Sequence, residues 1–459
     1  MNAPAHRASI RAAGPLARTP RRQRTWRPPG PPFQWRVAAP SLICILLLAP
    51  LLLALSACRS PGFPKYPANY REYAYVTNGG SGTVTVLDVV DVRVQAELRV
   101  GRDPVAVAAS PTHNEIYVVN AGVPSDRSSS LGWNAGVPSD RSSSLGWNAG
   151  VPSDRSSSLG WNADALGGRG SLSVIDAERN AVVAAIPLGR RPLSIDLDAS
   201  GKLAYVANSG SNTVSVIDLK ARREIAQIPA GVQPVAARLA PNGKTLVVAD
   251  ERGNSVTLID PITRRVRAVI SGCPGAQNPV ILADSSKAFV PCSAGHQVMV
   301  IALAHAGQPG ELQTLMDVGR GPAALALKPD NGEIFAVNSL SDSVSEIITN
   351  SNDVTGAHRM GDDPDCGLVS RDNSLFYVGN FLSQNLIVYS INDGRRIGSI
   401  HVGDGPSALA FSANSYLLLA VDSASDDVAV IRTPSQSLLT FLPTGRDPNA
   451  IVDKAFKVH

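Results

Sequence analysis

Apolar residues recur along this chain in short alternating runs, and the runs themselves recur. The clearest is TVSVID at residues 213–218, where Val214 and Val216 alternate with Thr213 and Ser215. A period of two with β-branched residues predicts a half-buried strand. AYVAN, ending at Asn208, precedes it, and GVQP, ending at Pro234, follows it. Between the motifs lie a charged run at 223–228 and a small apolar run at 235–239. One unit therefore holds four short strands joined by turn residues, and no window has helical period.

The residue opening each unit is Tyr75, Tyr117, Tyr205, Val247, Phe289, Phe335, Tyr377 or Leu419, usually 42 positions after the one before. The long interval from Tyr117 to Tyr205 holds an insert: AGVPSDRSSSLGWN is written three times over residues 121–162. Its Gly, Pro, Ser and Asp predict a loop, and three perfect copies point to recent duplication rather than to selection for each one. Eight units remain. Four strands per period of about 40 residues predict an all-β propeller, here with eight four-stranded blades. The ring gives every sheet a neighbour on each side and leaves no open edge. The first unit starts at its second strand, near Tyr73, and the chain ends with a lone innermost-type strand after Pro448, at 449–453. That strand is expected to complete the first blade.

The strings YVTN at 75–78, YVAN at 205–208 and YVGN at 377–380, with VSVID and GxxP behind them, resemble the YVTN-repeat family of bacterial and archaeal propellers. The resemblance spans residues 73–453. It implies a propeller, seven-bladed in many relatives, so seven blades are the alternative to the eight counted here. It leaves function open, because members include binding, surface and enzyme-like proteins.

Composition changes the picture mainly at the N-terminus. The formal charge of +4 conceals eight Arg and no Lys, Asp or Glu in residues 1–57, so the remainder is net negative. Those residues read as a signal peptide with a long basic extension: a basic stretch through Arg36, then an apolar run at 37–57. Leu55-Ser56-Ala57-Cys58 resembles a bacterial lipobox, which implies cleavage before Cys58 and acylation of that residue. An uncleaved membrane helix is the alternative, since the run is long enough. Residues 58–72 form a Pro-rich tether and 73–459 the propeller. The resemblance implies a lipid-anchored protein of the bacterial envelope, with Arg59 favouring the outer membrane.

Candidate chemistry falls on one face, where the turn after each YVxN-type strand meets the GxxP turns. A first ring runs Asn78, Asn120, Asn208, Asp250, Cys292, Asn338, Asn380 and Asp422. Such side chains commonly shape turns, and a ligand-facing ring is the second reading. A second ring comprises the pairs before the prolines. Arg102, Arg190, Arg191, Arg320 and Arg446 oppose Asp362, Asp363 and Asp404, with Asp103 and Asp447 among the basic units, giving a dipolar rim suited to a charged partner. Asp362, Asp363, Asp365 and Asp404 lack the glycine-hinged loop of a calcium site, and no metal is expected. Asp196 and Arg238 share a level in neighbouring units and are expected to form an ion pair. Cys273 and Cys292 approach the same face, and an oxidising envelope would permit a disulfide between them.

No GxSxG, HExxH or CxxCH motif occurs, so no catalytic residue and no cofactor is assigned. The leading expectation is a monomeric, lipid-anchored, non-catalytic module binding a protein, glycan or small ligand on that face. The alternative is an enzyme or cofactor-carrying propeller, lactonase-like or tetrapyrrole-binding. Nucleic acid is not an expected partner, because the mature charge is negative and no aromatic–basic strip appears.

Overall fold

The computed structural model describes residues 63–122, 168–303 and 309–458. Eight antiparallel four-stranded sheets form the blades of a propeller, and we number them by their order along the chain. The signal segment, Cys58 and most of the triplicated insert lie outside the described residues.

Blade 3 shows the common plan: Pro192–Leu197 innermost, then Leu203–Asn208, Thr213–Asp218 and Arg223–Pro229 at the outer edge. The alternating strand is not half-buried as its pattern predicts. Val214, Ser215, Val216 and Ile217 are all inaccessible, because blades pack against both faces of each sheet. Tyr205, Val214, Val216 and Ile228 of blade 3 meet Ala237, Leu246, Val248 and Ile259 of blade 4. Between blades 6 and 7, Phe335 stacks on Phe376 with ring centroids 4.6 Å apart. The core is thus a set of inter-blade layers, each aliphatic residue contributing about 1.5–3 kcal/mol by leaving water. The period-two alternation sends Val214 and Val216 to the layer with blade 4 and Ile217 to the layer with blade 2.

Closure occurs in blade 1. The strand Pro448–Lys457 pairs antiparallel with Tyr70–Asn78, from Tyr70 opposite Lys457 to Asn78 opposite Pro448, and becomes the innermost strand of that sheet. At the far end of this seam the Glu72 carboxylate is fully buried, accepting the Ala413 N–H at 2.7 Å and the Tyr70 hydroxyl at 2.5 Å. Beside it, burial and then the Glu72 carboxylate hold the Asp453 carboxyl well above its ordinary pKa.

Blade 5 departs from the plan. Its innermost strand is only Val280–Ile281, and an enlarged turn precedes it. Arg238 and Asp196 bridge this sector: their side chains lie 3.6 Å apart, Asp196 accepts the Leu239 N–H at 2.7 Å, and Arg238 Nε donates to Asn278 Oδ1 at 2.9 Å. The ion pair thereby links blades 3, 4 and 5 through their inner strands.

Candidate binding face

Each blade ends its second strand on the same face, and there the first ring sits beneath the surface. Asn78, Asn208, Asp250, Asn338, Asn380 and Asp422 have no exposure and Asn120 has 1%. Their side chains are engaged inward. Asn208 Nδ2 donates to the hydroxyls of Thr213 and Ser215 at 3.2 and 2.8 Å, and Asn78 does the same to Thr83 and Thr85 at 3.0 and 2.9 Å. Asn120 adds a further bond, its Oδ1 accepting the Gly101 N–H at 3.0 Å. The geometry thus favours turn-shaping over a ligand ring, since a donor spent on two buried hydroxyls has little left for a ligand.

The partner glycine explains the motif. In blades 2, 3, 4, 6, 7 and 8 the GxxP glycine lies 19 residues before its ring residue, and in blade 1 Gly445 takes the same place against Asn78; a Cβ at Gly231 would come within 2.4 Å of Asp250, at Gly189 within 2.7 Å of Asn208. Only glycine permits that approach. In blade 5 the ring residue is Cys292, and 19 residues earlier stands Cys273: here the contact is a disulfide, with Cα atoms 4.8 Å apart and both residues inaccessible. The cross-link occupies the place that an Asn–Gly contact holds elsewhere.

The second ring divides by depth. Its first members, Arg102, Arg320, Asp362, Asp404 and Arg446, are exposed, with Arg190 half-buried. Arg446 and Arg320 reach carbonyls of the adjoining turn, Gly80 and Leu340, at 3.0 and 3.1 Å. The second members, Asp103, Arg191, Gln233, Asp363 and Asp447, adopt φ between 47° and 61° and are less exposed. Their carbonyls accept the N–H of the residue after each ring position, as Asp103 does from Ala121 at 2.8 Å and Arg191 from Ser209 at 2.9 Å. The backbone is therefore fixed on both sides, which presents these side chains in one repeated orientation. Sequence alone assigns all of them to one rim, because the left-handed turn that separates neighbours is not visible in the residue types.

Interactions among the deeper members trace an arc across successive blades. Burial, and next the Asp447 carboxylate, push the Asp103 carboxyl up to about 7, while the Arg191 guanidinium opposes this. Arg191 also acts on Glu251, whose carboxyl is raised by burial and is hydrogen-bonded by Gln277. The sequence Asp447–Asp103–Arg191–Glu251–Gln277 thus spans blades 1 to 5. Glu251 and Gln277 escaped the sequence reading; the signal was their adjacency to Asp250 and to the prolyl turn before Pro279.

The other candidates do not converge here. Among the described residues no three His, Cys, Asp or Glu side chains are arranged to hold a metal ion. His296 Nδ1 accepts the Gly321 N–H at 3.2 Å, and His358 lies against Tyr389 and Glu346, at 3.1 and 3.4 Å, on an outer strand. Cys366 is a free thiol whose pKa burial raises well above the usual value.

The architecture defines the class: an eight-bladed β-propeller. No family model and no curated protein sequence matches the chain. Solved structures do. The dihydro-heme d1 dehydrogenase NirN, in complex with DHE, superposes with a TM-score of 0.64 at 14% identity over 87% of this chain and 78% of that one. AztD from Citrobacter koseri gives 0.59 at 12% identity over 85% and 100%. A putative 6-phosphogluconolactonase from Bacteroides uniformis gives 0.53 at 13% over 84% and 100%. At these identities the similarity establishes fold.

Proposed function

We propose that this chain is a lipid-anchored envelope propeller of the YVTN type that binds a protein, glycan or small ligand on its open face without catalysis. The observation that carries this reading is the arc Asp447–Asp103–Arg191–Glu251–Gln277, in which acids, a guanidinium and an amide from five blades are brought together at one face. A row of acids flanking one guanidinium on a rigid frame is suited to recognising a polar partner. The Cys273–Cys292 pair agrees with an oxidising compartment, and the lipobox-like Leu55-Ser56-Ala57-Cys58 with export and acylation. The strand Tyr70–Asn78 runs toward the open face, so the chain enters blade 1 from the opposite side.

Site-specific photo-crosslinking in cells of the source organism tests the binding reading. A crosslinker at Val232, 51% exposed on the open face, is expected to give a defined adduct, and one at Ile262, 79% exposed in a turn on the opposite side, is not. Adding Asp103→Asn and Arg191→Ala should abolish the Val232 adduct. Equal labelling at both positions would refute the reading. The anchor is tested separately: Cys58→Ser should release the protein from the membrane fraction.

The second reading is a cofactor-carrying propeller, favoured by the superposition on a protein solved with DHE. Purified protein with a visible absorption band would replace the first reading with this one.

A further inference from the structure

The outer part of each inter-blade layer is built from three repeated positions: the fourth residue of one blade's third strand, the sixth of its outer strand, and the fifth of the next blade's third strand. Between blades 3 and 4 these are Val216, Ile228 and Ile259, all buried in one cluster. Seven of the eight layers carry only Val, Leu, Ile or Met there. Between blades 6 and 7 all three positions change together, to Glu346, His358 and Tyr389. Their polar atoms converge. Tyr389 Oη donates to Glu346 Oε1 at 2.7 Å and lies 3.1 Å from His358 Nε2, which is 3.4 Å from Glu346 Oε1. Gly356 stands opposite Glu346 in the ladder, and a Cβ there would press on His358 Nε2 at 3.0 Å, so the small residue makes room for the imidazole. Exchanging a packed aliphatic trio for an ion pair and a phenol does not in general raise stability, because desolvation offsets the attraction. Three concerted exchanges at one place therefore point to a use other than packing.

The spacing of the three atoms shows what that use is. Metal–ligand bonds of about 2.0–2.2 Å set neighbouring ligand atoms roughly 2.8–3.6 Å apart, close to the separations seen here. The Tyr389 ring is fixed, 1% exposed and edge-on to Phe335, whereas the Glu346 and His358 side chains keep 23% and 34% of their exposure and leave a way in from solvent.

We propose that Glu346 Oε1, His358 Nε2 and Tyr389 Oη form a binding site for a first-row transition-metal ion on the outer wall between blades 6 and 7. Imidazole suits copper, iron, nickel and zinc, and the carboxylate and phenol supply two oxygens beside it. Burial, and then the hydrogen bond to Glu346, hold the Tyr389 phenol above its usual pKa, so without metal it keeps its proton. On binding, the Oη–H bond is exchanged for a bond to the ion and the proton passes to solvent, while the imidazole ligates with its own proton on Nδ1. The site shares no blade with the charged arc of blades 1 to 5 and stands or falls separately from it.

Titration of the metal-free full chain with copper(II), followed by absorption and calorimetry at several pH values, tests the proposal. One ion is expected to bind with a Kd of roughly 1 μM, to raise the melting temperature, and to bring up a visible phenolate-to-copper charge-transfer band. Release of one proton should make the affinity climb about tenfold per pH unit. Tyr389→Phe keeps the ring against Phe335 and should abolish the band and weaken binding by about tenfold; Glu346→Gln and His358→Ala should each weaken it as much. His401→Ala, on the exposed outer strand of blade 7, should change nothing. Calcium(II), which takes six to eight oxygens, should not bind. Absence of copper binding would overturn the site, as would binding undiminished in the three variants or calcium held as tightly as copper. Binding that needs Glu346 and His358 but ignores Tyr389→Phe would overturn the three-ligand assignment and make the phenol structural.

Discussion

Position 250 carries a carboxylate where five other blades carry an asparagine, and the consequence is a pH dependence. Burial pushes the Asp250 carboxyl up to about 6 from 3.8, against the opposing bonds from the Thr257 hydroxyl and the Gly231 N–H. The folded protein therefore keeps a proton that the unfolded chain loses first. Stability is unaffected below pH ~4, falls as pH rises from about 4 to about 6, and is flat above, a loss of about 3 kcal/mol. Asp250→Asn can keep both contacts, its Oδ1 accepting from Gly231 and its Nδ2 donating to Thr257 and Ser255, as Asn120 does toward Gly101, Ser171 and Ser173. We expect this variant to unfold at higher urea at pH 7 than the parent and at nearly the same urea at pH 4. Asp103 titrates higher, toward 7, and the same sign applies to it. Nothing in the structure explains why blade 4 retains the acid.

At the scale of the element, two devices hold the ring. The first is the seam of blade 1. Deleting residues 446–459 removes the innermost strand, its pairing with Tyr70–Asn78, and the burial of Glu72 beside Asp453. The melting temperature is expected to fall sharply in a calorimetric scan, and an unchanged curve would show that closure lies elsewhere. The second is the blade 5 cross-link. Cys292→Ala should destabilise the protein, whereas Cys273→Gly with Cys292→Asn, which installs the contact used by the other blades, should recover part of the loss in urea unfolding. Closure and blade number were legible because the repeat has a phase, and a unit that begins at its second strand must receive its first from the chain's end. The Cys pair was legible in its placement, Cys273 in the enlarged turn before Pro279 and Cys292 at the end of the next strand of the same blade, both toward one face. The depth of the loop residues was not, since it depends on left-handed conformations at Asp103, Arg191 and Asp447 that residue type does not demand. Nor was the pairing of Arg169 with Arg190, because the insert separates Arg169 from its unit and hides that register.

For the whole molecule, the identity of a blade lies in its neighbours and not in its place along the chain. The Val458 N–H donates to the Asn69 carbonyl at 2.9 Å, so the two ends of the ring already touch. A gene that joined 458 to 69 through a short linker, and opened the chain in the turn between Val369 and Leu375, would preserve every inter-blade layer while trading the seam of blade 1 for one in blade 7. Such a permutant should fold and melt cooperatively, read by calorimetry, with its new weak point at the new opening. The order in which the eight blades are written is, for this architecture, a matter of genetic history; what the physics reads is a circle.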